Sequence, residues 1–379
     1  LGGVYTGADA IAIGRSALAA LTSGNYNVAV GGLAGTALTT GNSNVAIGFE
    51  ALKTEDAHGF NTAVGYQALK TLDAGANSYN TAFGYQAGLS LTTGVRNVLI
   101  GPLAGDALTD ADFNVAVGLS ALGADTKGSK SVAIGYAALV AQNFTTATDA
   151  YNVAVGHNAG VAVTTGDSNT LIGGLAGDAK TTGSNDVAVG YLALSADVAG
   201  QNSIAVGRSA LASQNFTTAT NSYNVAVGRS AGGAVTTGVQ NTLIGGLAGD
   251  ALTDADFNVA VGLNALTSDT LGSKSTALGH GALNSQNFTT ATDTFNVAVG
   301  MRAGFNVTTG TNNVLLGGLS GDALTTGSTN VAVGTSALTT DTLGSRAVAV
   351  GDALCLHKTS LLQQIITMLA LAIVLVGQS

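Results

Sequence analysis

The residues of this 379-residue chain best suited to metal or nucleophilic chemistry are four histidines, His58, His157, His280 and His357, and one cysteine, Cys355. A structural zinc site needs several such ligands at short, regular spacing, and a nucleophile needs a base beside it and a group orienting that base. The spacing predicts neither arrangement. GADTKGSK (123–130) comes close to a phosphate-binding loop, but Ser129 stands where lysine is required and no helix follows for the loop to open. GGLAG (173–177, 245–249) lacks the βαβ surroundings of a dinucleotide fingerprint. DALTDADFN (106–114, 250–258) gathers Asp106, Asp110 and Asp112, then Asp250, Asp254 and Asp256. Oxygen ligands at that density suit Ca²⁺, yet the spacing fits neither an EF-hand nor a glycine-rich calcium repeat, so solvated acidic corners are expected. The reading is of a chain with no catalytic residue, no cofactor and no metal.

What must position these residues is a repeat. NVAVG stands at 27–31 and returns at 114, 152, 224, 258, 296 and 330, with near copies between. The closing glycines (Gly14, Gly31, Gly48, Gly65, Gly84, Gly101 and onward to Gly351) are mostly 17 residues apart, and a longer step at every fourth unit gives a superperiod of 72. Such self-similarity means a solenoid or an array. No unit has room for a helix, because each is a short alternating segment, a second segment of the LAGTAL type and intervening Gly, Thr, Asn and Ser turns. The expected fold is all-β: a parallel β-solenoid of about 20 coils with 17-residue repeats over 1–351, each coil running strand, turn, strand, turn. The Asn before each motif (Asn27, Asn44, Asn61, Asn80, Asn97, Asn114) suits an amide ladder, and the closing Gly suits a positive φ at a corner.

Composition agrees. With 46% hydrophobic residues and only 9% charged, the chain is not disordered, and with one proline and no strict glycine triplet it is not collagen. A net charge of −9 without a basic stripe argues against nucleic acid.

Alternation along the strand puts Val28 and Val30 on one face and Ala29 on the other. The valines are expected to fill the lumen, leaving outside a column of small residues: Ala29, Ala46, Ala63 and their successors, with Leu99, Leu171, Leu243 and Leu315 spaced 72 apart. An apolar stripe of that extent needs covering, so these residues are the expected oligomer interface of a homotrimer, side by side or intertwined. The alternative is a single broad solenoid that holds both alanine columns inside.

SVAIG (131–135), NSIAVG (202–207) and NVAIG (44–48) resemble the head repeats of YadA-like trimeric autotransporter adhesins, and NTAVGYQAL (61–69) and ALTTGNSNVAIGFEAL (37–52) resemble repeats of bacteriophage tail fibres. The resemblance spans about residues 1–351. It implies a left-handed parallel β-roll, three chains side by side, and an extracellular, cell-surface or virion-surface rod or adhesive head.

Inserts at every fourth corner, AQNFTTATDAYN (141–152), SQNFTTATNSYN (213–224) and SQNFTTATDTFN (285–296), carry paired aromatics: Phe144 with Tyr151, Phe216 with Tyr223, Phe288 with Phe295. These are the candidate contacts for a receptor or glycan, multiplied by the repeat. Packing onto the rod is the competing role. Thr pairs in TTG at 39, 92, 164, 181, 236, 308 and 325 raise an ice-binding plane, but too few lie on successive coils. After Gly351 the rhythm stops. Leu361, Ile365, Met368, Ala372 and Leu375 step at helical spacing, so 352–379 reads as a short apolar helical tail that caps a trimer, contacts a membrane or is a non-native read-through segment. The functional expectation is a structural fibre or adhesin, with a filament subunit stacking end to end as the alternative.

Overall fold

The structure, a computed structural model, describes residues 5–354. The expected helix from Leu361 to Val376 lies outside them. Among the described residues there are only strands and turns, and no helix is long and apolar enough to cross a membrane. The chain forms a parallel β-solenoid with about 17-residue spacing, divided into two compact units, Leu1–Tyr223 and Asn224–Ser379.

In the first unit each repeat motif is a three-residue strand, from Ile11–Ile13 to Ile204–Val206. Every strand pairs in parallel with the same motif one coil on and in equal register: Val28 with Val45, Ala29 with Ala46, Val30 with Ile47. The long steps do not disturb this, since Val132 pairs with Val153 across an insert. The insert leaves the stack and returns, adding its own small parallel pair, Thr148–Asp149 on Gly128–Ser129. The second unit repeats the pattern from Val225–Val227 to Val348–Val350, with Thr292–Asp293 on Gly272–Ser273.

The second segment of each coil is not the strand expected. Ser16 and Leu18 have φ of 58° and 48°, and Leu33 and Gly35 have 64° and 55°. Left-handed residues at alternate positions turn the chain too sharply for extended pairing. The coils still meet there through single backbone bonds, such as Leu18 N–H to the Ala34 carbonyl (3.1 Å) and Gly35 N–H to Ala51 (2.9 Å).

The assignment of faces is the reverse of the expectation. Ala29, Ala46, Ala63, Leu99 and Leu171 in the first unit, and Leu243 and Leu315 in the second, are fully buried within the single chain. They line the lumen, cannot reach another chain and are therefore not an oligomer interface. The second alanine column (Ala17, Ala34, Ala51, Ala68) is buried with them, so both columns lie inside one coil. Each strand turns one residue, Ala or Leu, into a lumen it shares with second-segment leucines such as Leu18 and Leu52, and Val28 and Val30 turn outward.

The asparagine column forms a ladder, but one of side chain to backbone. Asn27 Oδ1 accepts the Asn44 N–H (2.9 Å), Asn44 Oδ1 accepts that of Asn61 (3.0 Å), and Asn27 Nδ2 donates to the Gly41 carbonyl (2.7 Å). Asn27 and Asn44 thus each satisfy one donor and one acceptor of the next coil. Gly31 closes its strand at φ 138°, and a Cβ there would stand 2.5 Å from the Gly48 carbonyl oxygen, so the column of closing glycines is set by backbone stacked on backbone.

Candidate interaction surface

Turning the valines outward creates a face the sequence had placed inside. In the first unit the two outward positions of each strand are Val, Ile, Thr or Phe throughout, and none is charged. Phe83 is 57% exposed, and Ile100, Ile134 and Ile172 are each 38% exposed. A parallel sheet is ordinarily covered on both faces; here the inner face is packed and the outer one is open. The second unit presents the same face through Val227, Ile244 and Val299.

Rings flank the strands on both sides. After the closing glycine, Phe49, Tyr66 and Tyr85 stack on successive coils with centroids 5.6 and 5.4 Å apart, and Tyr136 stacks on His157 at 5.2 Å. Before the asparagine, Phe60 stacks on Tyr79 at 5.0 Å and the Arg96 guanidinium lies 5.3 Å from the Phe113 ring. Equal register makes these ladders: a ring at one position meets whatever occupies that position one coil away. Beside Phe49, Glu50 binds Lys53 (2.6 Å), Lys70 (2.8 Å) and the Gln67 amide (2.8 Å), which together hold its carboxyl down at about 2.

The paired aromatics of the inserts separate. Phe144, Phe216 and Phe288 are buried, each 7% exposed, and their backbone N–H groups donate to Asp125, Asp197 and Asp269 (3.0, 3.1 and 2.9 Å). They anchor the insert and are closed to a ligand. Tyr151, Tyr223 and Phe295 stand in solvent. Lys130 Nζ sits 5.1 Å from the Tyr151 ring and 2.5 Å from Asp149; Lys274 repeats this with Phe295 (5.3 Å) and Asp293 (2.5 Å). At the intervening copy Asn202 donates to Asn221 instead (2.7 Å).

The inserts also carry a polar core that aromatic spacing did not reveal. Where Ser131 replaces the ladder asparagine, Gln142 reaches in: Nε2 donates to Ser131 Oγ (3.1 Å) and to Asp125 (2.6 Å), and Oε1 accepts from Asn152 (2.9 Å). The recurrence of Asp125, Asp197 and Asp269 with Gln142, Gln214 and Gln286 at intervals of 72 was the available signal.

The acidic corners serve the coil stack. Asp112 accepts the Val95 N–H (2.8 Å), Asp256 that of Val239 (2.7 Å), and Asp254 the Thr237 hydroxyl (2.6 Å). The first threonine of a TTG pair donates to a carbonyl one coil on, as Thr164 does to Thr181 (3.2 Å). Glu55, Asp56 and His58 do come together, with potential ligand atoms within 4.8 Å of one another, a grouping the sequence reading missed. Burial raises the Glu55 carboxyl, and its oxygens accept backbone N–H groups of His58 (3.1 Å) and Ala74 (3.2 Å), the role Asp125 plays at the later insert.

Neither a protein-family model nor a curated protein sequence matches this chain.

Proposed function

We propose that this chain is a non-enzymatic structural fibre or adhesive rod, at a cell or virion surface, that works as a closed oligomer of parallel copies. The observation that carries the reading is the uncharged outward face of Val28, Val30, Ile47, Phe83, Ile100 and Ile134 with its flanking rings. Twelve strands make up the face of the first unit. At about 4.8 Å between strands and about 3.3 Å per residue it measures roughly 55 by 10 Å. The ring columns widen it toward the roughly 800 Å² per partner that stable complexes bury. Because every coil offers the same pattern, a second copy in equal register is the matching occupant, and three copies closing on one another leave no apolar face open. The assembly role falls to the outward valines and isoleucines in place of the buried alanines. Tyr151, Tyr223 and Phe295, presented at successive inserts, are the contacts for a receptor or glycan.

Solution mass by light scattering across micromolar concentrations tests the assembly. A discrete trimer is expected, and Ile100→Lys with Ile134→Lys should give a folded monomer. Wild-type protein that stays monomeric overturns the reading, and open-ended growth with concentration supports a filament subunit.

A further inference from the structure

Lys180 is fully buried, an extreme position for a lysine. At the same place in the other blocks of four coils stand Leu108, Leu252 and Leu324, all fully buried. At the superperiod of 72, positions 108, 180, 252 and 324 read Leu, Lys, Leu, Leu, while 114, 186, 258 and 330 read Asn, Asp, Asn, Asn. Two exchanges therefore fall together in one copy, a cation for a leucine and a carboxyl for the ladder asparagine.

The side chains meet at one nitrogen. Lys180 Nζ lies 2.6 Å from Asp186 Oδ2, 3.0 Å from Asp197 Oδ2 and 2.9 Å from the Gly200 carbonyl oxygen. Asp186 and Asp197 are both fully buried. Asp197 Oδ1 accepts two backbone N–H groups, of Gly200 (3.2 Å) and Phe216 (3.1 Å), while Oδ2 faces Nζ and the Gln214 amide (3.4 Å). Asp186 Oδ1 accepts the Ser203 N–H (2.7 Å), and its Oδ2 faces Nζ. Burial drives the Asp186 carboxyl up to about 6 against the pull of Lys180.

These are the parts of an amide-forming site. A nucleophilic nitrogen is held against a carboxyl group whose far oxygen sits between two backbone donors, where charge develops when the carbon becomes tetrahedral. A second carboxyl touches the same nitrogen and can carry its protons. Burial disfavours separated charges and favours their loss as a neutral product.

We propose that Lys180 and Asp197 condense spontaneously into an isopeptide bond that ties one coil to the next. The Lys180 ammonium passes a proton to Asp186, and the free amine attacks Asp197 Cγ. The Nζ–Cγ bond forms, the Cγ–Oδ2 bond breaks, and Oδ2 leaves as water carrying two of the three ammonium protons, both relayed through Asp186. The third proton stays on the amide nitrogen, facing the Gly200 carbonyl. Asp186 ends as it began, and nothing is oxidised or reduced. Asp186 is the catalytic residue, because it touches the reacting nitrogen.

Mass spectrometry of the denatured full chain tests this. The expected mass is lower than that of the sequence by one water, trypsin should fail to cut after Lys180, and fragmentation should place the link between Lys180 and Asp197. Asp186→Asn should restore the full mass and the cut. Lys180→Leu combined with Asp186→Asn reproduces the residues of the neighbouring copies, so it should fold, by circular dichroism, and also carry the full mass. Wild-type protein of unshifted mass that is cut after Lys180, or a link to Asp186 instead, overturns the proposal.

Discussion

Leu171 and Gly177 share one volume: a Cβ on Gly177 would lie 2.8 Å from Leu171 Cδ2. The other methyl of Leu171 fills the space over Gly160, where a Cβ would lie 2.7 Å away. One coil later the sizes reverse, with Ala188 in the strand and Leu194 in the second segment, both fully buried. Leu99 between Gly88 and Gly105, and Leu315 between Gly304 and Gly321, repeat the match.

Leu171→Ala should therefore open a cavity and cost about 2–5 kcal/mol. Gly177→Leu alone should also destabilise, by overpacking. The backbone permits leucine at this position, since Leu194 has φ 54° and Gly177 has 56°. The double variant should recover part of both losses in urea unfolding, and strict additivity would contradict the shared volume.

Gly190→Ala tests the closing glycine. At φ 138° its Cβ would stand 2.5 Å from the Gly207 carbonyl oxygen. The melting temperature should fall well below that of Gly75→Ala, where a Cβ meets nothing within 4 Å.

Asn97→Ala removes the acceptor of the Asn114 N–H (2.9 Å) and the donor to the Ala111 carbonyl (2.8 Å). Two buried backbone groups lose their partners, at about 1–3 kcal/mol each. Hydrogen exchange should show faster exchange at the Asn114 amide.

Asp186 and Glu50 give pH dependences of opposite sign. Folding raises the Asp186 carboxyl from 3.8 to about 6, so the folded state binds the extra proton. The stability it confers is full below pH 3.8 and is lost as pH rises through about 6, a change of ~3 kcal/mol. Lys53, Lys70 and Gln67 lower Glu50 from 4.5 to about 2, so its contribution is full above pH 4.5 and lost as pH falls toward 2. Urea midpoints at pH 4 and pH 7 should differ less in Asp186→Asn than in wild type; an unchanged difference would contradict the assignment.

The period, the corner glycines and the asparagine column were legible because each answers a backbone demand that any coil must meet. The faces were not. Alternation shows that Val28 and Val30 share a side, but which side is inward depends on the width of the lumen, set by residues such as Leu18 and Leu52 from the second segment. Small Ala29 suggested chains in close approach, when it marked a narrow interior. The signal that could have decided it was in view: each strand leucine, Leu99, Leu171, Leu243 or Leu315, has a glycine 11 residues before it and another 6 after it, as only residues packed together would require. The separate fates of Phe144 and Tyr151 could not be read from composition, because they depend on Gln142 and Asp125 drawing one end of the insert inward.

The pairing of Leu99 with Gly105 also governs how such a gene can grow or shrink. Deleting residues 101–117 would preserve strand register yet bring Leu122 to the place of Gly105, setting two leucines in a space for one. Deleting 84–155 would join Phe83 to Gly156 with every large residue still opposite its small one. Loss of this one coil should therefore cost stability that loss of the block of four would spare.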